Sequence, residues 1–343
     1  MMKDFRVCSM KFDLQGIQNE ADFVDPSIKQ VSVFDQVEIS QIFQCEGLLL
    51  CVTRDKSRLL VWNPYLGQMN WTQQGNNFSN IDKYALGYDK NRNHKILRIF
   101  SERGSYGEKI VLGYEIFDLS SNTLKVRNVN ADWNIDYYQR GVYLKGHAYF
   151  LAKKEDTGIG EYDNGYIISF NFTTERFGKL LPLPFETKIS DELVLSCVRE
   201  EQLAALHQSS AVGQALEIWV TNKIDPCEVS WSKFLRITYG FRDGNLAGSF
   251  FVDEERRVAV VVDQEDYKGP NVNRHNQKVH IIGQDGCFKS VYIGEVRYLG
   301  KRGRFGYMTY DICRPLVCSS FVPSSVSLQT KQPRGKLEES ETN

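Results

Sequence analysis

The sequence predicts an all-β chain folded as a β-propeller, and three observations carry that reading. Helix-period stretches are nearly absent, while strand-length runs rich in β-branched and aromatic residues sit between Asn, Asp, Gly and Ser turns. One pattern, an apolar strand ending in an aromatic residue and followed by a turn, returns roughly every 50 residues through most of the chain. That length suits four strands and their loops, a blade whose two faces only neighbouring blades can cover.

The pattern appears at Leu59–Pro64, Gly113–Asp118, Tyr166–Asn171, Leu216–Thr221 and, more weakly, Val279–Gln284, with anchors Trp62, Phe117, Phe170, Trp219 and Ile282. The anchors are 55, 53, 49 and 63 residues apart, and the longest step holds the polar insertion Gln264 to Gln277, as a loop between strands would. Each anchor strand follows another apolar run of strand length, such as Gly47–Val52, His147–Leu151 or Val258–Val262. Five or six four-stranded blades are expected, with the anchors in the core and few helices. Strands around Lys11 to Leu14 or Val31 to Phe34 are candidates to complete the last blade. A two-sheet sandwich is the alternative topology. The expected organisation is residues 1–38 as an N-terminal segment that can help close the ring, 39–330 as the propeller, and 331–343 as a disordered tail whose one large apolar residue is Leu337.

Composition narrows the function. The chain has 343 residues, 42% hydrophobic and 25% charged, with 42 Lys and Arg against 43 Asp and Glu, so no net field would draw it to nucleic acid or to an anionic membrane. The longest apolar runs are strand-sized, and Met1–Arg6 brings charge straight into a mixed sequence, unlike a secretory signal. A cytosolic or nuclear protein is expected, with its eight scattered cysteines as thiols, most of them small core hydrophobes, and its three Asn-X-Ser/Thr sequons serving as turns. None of the five histidines falls in a nucleophile or metal motif, and Cys313 and Cys318 have no second cysteine pair nearby. No cofactor or metal is expected, and the chain does not read as an enzyme.

Candidate partner-binding residues come from loops, because blade strands are committed to packing. The run from Trp133 to Arg140 supplies Trp133, Tyr137, Tyr138 and Arg140, residue types that form hot spots on a rigid rim, although Trp133 can equally pack between blades. Tyr239, Phe241 and Arg242 form a second such loop. Arg302, Arg304 and Phe305 form a third, in a glycine-rich stretch that lacks the Lys-Ser/Thr ending and strand-to-helix setting of a phosphate loop.

The residues also resemble a known family, the plant F-box-associated β-propeller of type 1. The resemblance runs from Cys45–Cys51 through Leu60–Gln68 and Trp71, then Tyr84–Asp89 with Lys95–Arg98, and Gly141–Tyr149. It continues through Phe170–Phe177 with Leu181–Pro184, then Phe251–Glu255 with Val258–Val261, and ends at Cys313–Cys318. It implies a kelch-like, galactose-oxidase-like propeller that captures the target protein of an SCF-type ubiquitin ligase, while an upstream F-box docks on a Skp-type adaptor. The F-box should open with a Leu-Pro pair, and none occurs before Leu181-Pro182, so the F-box is read as absent from this chain. Adaptor binding is then expected only with an F-box upstream. A free-standing scaffold is the next reading, and a carbohydrate-binding or enzymatic propeller a further one. The chain is expected to be monomeric.

Overall fold

A computed structural model of the chain describes residues 2–3, 5–11, 26–31, 37–73, 79, 82–102, 111–135, 140–154, 165–188, 191–209, 215–238, 246–266, 274–297, 299–302, 308–311 and 324–328. Among these there is no helix.

Five consecutive meanders form the blades. An N-terminal sheet of β1 (Met2–Lys3), β2 (Arg6–Lys11) and β3 (Ser27–Gln30) precedes them. Blade 1 is β4 (Ile39–Cys45), β5 (Leu48–Thr53), β6 (Arg58–Asn63) and β7 (Gln68–Gln73). Blade 2 is β8 (Lys83–Tyr88), β9 (His94–Glu102), β10 (Val111–Asp118) and β11 (Thr123–Val129). In blade 3 the first position is split between β12 (Trp133–Asn134) and β13 (Val142–Leu144), both paired with β14 (His147–Lys154), and β15 (Gly165–Asn171) and β16 (Arg176–Pro182) follow. Blade 4 is β17 (Glu192–Val198), β18 (Gln202–Gln208), β19 (Leu216–Ile224) and β20 (Val229–Ile237). Blade 5 is β21 (Leu246–Asp253), β22 (Val258–Asp266), β23 (Arg274–Gly283) and β24 (Phe288–Arg297), and a hairpin of β25 (Leu299–Arg302) and β26 (Met308–Asp311) comes after it.

The ring explains the composition of the strands. The second strands β5 and β22 carry unbroken apolar runs because both of their faces meet other elements, and Val258 to Val262 are all buried. The outermost strand of blade 2, β11, faces solvent along nearly its whole length. Neighbouring blades share cores: blade 3 meets blade 4 through Leu144, Tyr149 and Ile167 against Leu203 and Ala205, and blade 4 meets blade 5 through Leu206 and Ile218 against Phe250 and Val261. The innermost strands β4, β8, β13, β17 and β21 touch one another in series, with β13 also reaching β4. These separate, sequential meanders replace the sandwich alternative.

Blades 2 and 3 also interlock. Gly87 lets the buried Phe172 ring reach the β8 backbone, where a Cβ would stand 2.1 Å from the ring. The N-terminal sheet lies between the last and first blades: Phe5 and Val7 pack with Ile42, Leu60 and Trp62 of blade 1, and Met10 and Ile28 pack with the blade 5 core. Of the strands the sequence offers to close the ring, β2 reaches Lys11 and β3 ends at Gln30, while residues 12–14 and 32–34 lie outside the described residues.

All five anchors lie on the third strand of a blade, and Trp62, Phe117, Phe170 and Ile282 are buried. Trp219 is a correction, being only half-buried. Trp62, Phe170 and Ile282 face Leu49, Ala148 and Ala259, the second residue of the neighbouring strand, whereas Trp219 faces Ala205, the fourth. β19 runs on for five residues beyond Trp219 to Ile224 before its turn, and its ladder with β20 carries two register shifts. Of the described cysteines, Cys8, Cys45 and Cys51 are buried, Cys197 and Cys287 half-buried, and Cys227 exposed in the β19–β20 turn. Of the sequons, Asn171 does form a turn, but Asn70 lies within β7.

The turns after the third strands repeat one device. The Oδ1 atoms of Asn63, Asp118, Asn171 and Asp225 each accept backbone N–H groups two and three residues ahead. Asn63 does more, because its Nδ2 also donates to the carbonyls of Ser324 and Val326 at 2.9 and 2.8 Å. This ties residues 324–328 to blade 1, where Leu328 N–H also donates to Gln68 Oε1 at 2.8 Å. Replacing Asn63 with Asp keeps the turn acceptor but turns a carboxylate toward two carbonyls, so a loss of about 2 to 3 kcal/mol is expected. In a chain ending at residue 323 the same substitution should cost far less. Urea denaturation of the four proteins checks this, and equal losses in both backgrounds would show that the strap is not the cause.

Candidate partner-binding surfaces

Strand direction separates the propeller into two ends. The turns between first and second strands and between third and fourth strands share one end and are short, running from two to five residues between strand limits. The second-to-third connections of blades 2 to 5 and the links from blade 1 to 2, 3 to 4 and 4 to 5 lie at the other end and are longer, from seven to ten residues.

At the short-turn end, positive φ at Glu46, Arg92, Lys145, Glu200 and Arg257 marks the first turn of each blade. Glu46 of blade 1 accepts from the Tyr88 hydroxyl and, at 2.5 Å, from Arg92 Nη1, both in blade 2. The Arg92 guanidinium lies 4.3 Å over Tyr88, whose ring sits 5.4 Å from Tyr143 of blade 3 and 5.6 Å from His94. Burial pushes the Cys45 thiol well up, and burial together with the Glu46 charge raises Glu200. Burial also lowers the pKa of His94, which favours its neutral form. A thiol so held is protonated and poorly nucleophilic, so the arrangement ties three blades together around the axis.

Two histidine–carboxylate pairs lie in blades 4 and 5. His207 Nε2 is 2.8 Å from Asp191, with its ring stacked 4.4 Å from Phe185, and His280 Nε2 is 3.1 Å from Asp263, with its ring 5.4 Å from Phe288. Among the described residues, no three His, Cys, Asp or Glu side chains gather as metal ligands, and no helix is long and apolar enough to cross a membrane.

The loops singled out from sequence fare unevenly. Trp133 is a correction: it is buried, with its ring 5.0 Å from Phe177, because a large aromatic at the start of a blade fills the space between sheets. Arg140 is half-buried at the long-loop end. Tyr137, Tyr138, Tyr239, Phe241, Arg242, Arg304 and Phe305 lie outside the described residues, as do Cys313 and Cys318. Arg302 ends strand β25, and its backbone alone is described.

Sequence reasoning missed a different surface, on blade 1. Tyr65, Leu66, Met69 and Trp71 are all exposed, on the β6–β7 turn and on β7 itself. Beside them, at the long-loop end, a cleft of about 590 Å³ separates the N-terminal sheet from blade 1, lined by Arg6, Val37, Glu38, Arg54, Asp55 and Arg58. Arg54 bridges Glu38 at 2.8 Å and covers the Phe5 ring at 4.0 Å. Asp55 accepts from Thr53 and Ser57, which brings its pKa down to about 2. The detectable signal is the spacing of Met69 and Trp71, two apart on the last strand of a blade, where no further strand among the described residues pairs with it.

Comparison with known proteins agrees with this architecture. The model of the F-box associated beta propeller domain matches residues 1–328. An F-box/kelch-repeat protein of Arabidopsis thaliana is 54% identical over 346 residues, covering 99% of this chain and 85% of that protein. An F-box protein of the same plant is 43% identical over 347 residues, covering 96% of this chain and 85% of its own length. Among solved structures, the β-propeller domain of the Trilobed protease from Pyrococcus furiosus is 8% identical with a TM-score of 0.35, covering 80% of this chain and 82% of that one. With the family model spanning almost all of its length and relatives this similar throughout, the chain belongs to the F-box associated beta propeller family.

Proposed function

We propose that this chain is a non-enzymatic protein-interaction module, the target-recognition part of an SCF-type E3 ubiquitin ligase substrate receptor. Its similarity to F-box proteins across nearly its whole length carries this reading. The fold supports it, because blade packing consumes the strands and leaves turns, loops and outer strands for a partner. On this reading the protein acts as a monomer in the cytosol or nucleus and captures a target protein.

Docking on a Skp-type adaptor is the task of an F-box. The described part of the first 38 residues contains strands packed on blades 1 and 5, not docking helices. Residues 1–343 alone are therefore expected not to retain purified Skp adaptor in a pull-down, whereas the same chain with an F-box fused at its N-terminus should retain it. Stoichiometric retention by residues 1–343 would overturn this division of labour. Target capture is tested separately, by affinity purification with each form followed by ubiquitylation of the captured protein in a reconstituted ligase. Capture without any adaptor-dependent ubiquitylation would favour a free-standing scaffold.

A further inference from the structure

Register places Arg58, Leu60 and Trp62 of β6 on one face of blade 1 together with Met69 and Trp71 of β7, with Leu60 opposite Trp71 and Trp62 opposite Met69. Phe5 and Val7 cover the inner half of that face, so Leu60 and Trp62 are buried. One strand further out the cover stops, leaving Met69 44% and Trp71 37% exposed, with Tyr65 at 63% on the adjoining turn. Trp, Tyr, Met and Arg are the residue types concentrated at the cores of protein interfaces.

The polar groups of this face are open as well. The Arg58 guanidinium lies 4.6 Å over the Trp71 ring and makes no ion pair among the described residues. The nearby carboxylates are already engaged, Glu38 by Arg54 and Asp55 by Thr53 and Ser57. Among the described residues Arg58 acts on Asp55 through its charge without an ion-pair contact, so it can still receive an added negative charge. Among the described residues β7 pairs with β6 alone, so its outer edge offers main-chain donors and acceptors over a length of about 20 Å.

Resting on the protein-interaction reading above, we propose that this face binds an extended acidic segment of the target protein. The segment adds along β7, sets apolar side chains on Met69 and Trp71, and turns a carboxylate to Arg58, whose planar fork is held in place by the indole. A polypeptide is the occupant because a strand edge is matched by main-chain amides, which a nucleic acid lacks.

The test is selection from a random phage-displayed peptide library on the full chain, on Arg58→Glu and on Trp71→Ala, with thermal melting to confirm that both exposed positions leave the fold intact. Enriched peptides should be rich in Asp and Glu. They should bind Arg58→Glu about tenfold or more weakly, recover on that variant when their acids are changed to Lys, and shift the Trp71 indole N–H resonance of the parent chain. Peptides without acidic residues, or peptides bound equally by Arg58→Glu, would overturn the proposal, as would equal affinity for oligouridylate. Acidic peptides that bind only after residues 329–343 are removed would assign the surface to the chain's own Glu338, Glu339 and Glu341 and overturn the choice of partner. A target still captured by Arg58→Glu would leave the protein-interaction reading intact while removing this face from it.

Discussion

Replacing Phe170 with alanine is expected to destabilise the protein by about 3 to 5 kcal/mol, the cost of a large buried aromatic and the cavity it leaves. Phe170 is fully buried at the junction of blades 2 and 3. Its ring meets Phe177 at 5.0 Å, Phe172 at 5.4 Å and Tyr114 at 5.6 Å, all near edge-to-face, a geometry that adds to the burial itself. The aromatic partners belong to two blades, so the hole cannot close without moving one sheet against the other. Phe170→Leu should recover most of the loss. Trp219→Ala is the matched comparison, because it holds the same place in the sequence repeat but is half-buried, with its N–H on Glu217 and Lys233 4.7 Å over its ring. Its expected cost is about 1 to 2 kcal/mol. Denaturant midpoints at constant slope report both, and similar losses would mean that sequence spacing describes the core better than register does.

That comparison shows what was legible in the sequence and what was not. The repeat was readable because third strands end in one kind of residue before one kind of turn, and the Asx geometry of Asn63, Asp118 and Asn171 supplies the turn. Trp219 was misplaced because β19 runs on for five residues beyond it, and the register shifts of the β19–β20 ladder leave no mark in hydrophobic pattern. Its short step of 49 residues from Phe170 was the visible trace. Trp133 failed as a surface residue for another reason: residue type alone does not separate a rim aromatic from an inter-blade plug. The blade 1 face was hidden by the same ambiguity in reverse, since alternating Met69 and Trp71 read as a half-buried strand until the uncovered position of β7 is known.

Long-range ion pairs were not legible at all, and one of them should dominate the response to pH. Lys95 of blade 2 is buried and places its Nζ 3.0 Å from Glu175 of blade 3 and 3.2 Å from Asp89. Lys125, half-exposed, reaches the other side of Glu175 at 2.9 Å. Burial pushes both carboxyls up, but hydrogen bonds outweigh it, from Lys125 and Lys95 at Glu175 and from Asn93, Asn91 and Lys95 at Asp89. Both pKa values therefore lie below their ordinary 4.5 and 3.8. A folded-state pKa below the unfolded value gives stability that is present above the unfolded value and lost as pH falls through the folded one. The parent protein should therefore lose this contribution on acidification below about pH 4.5. Lys95→Met leaves two buried carboxylates facing each other without their shared cation, a change that typically costs about 3 to 5 kcal/mol. Glu175→Gln should cost less, because Lys95 keeps Asp89 and Lys125 can turn to solvent. In Lys95→Met the Lys125 bonds to Glu175 and the Asn93 and Asn91 bonds to Asp89 remain, so the dependence on acidification weakens. The stability gap between parent and Lys95→Met should be small at pH 3 and grow steadily toward neutrality. Guanidinium melts of the parent and both variants across that range measure the gap, and one that stays constant with pH would show that Lys95 acts through packing of its alkyl chain and not through its charge.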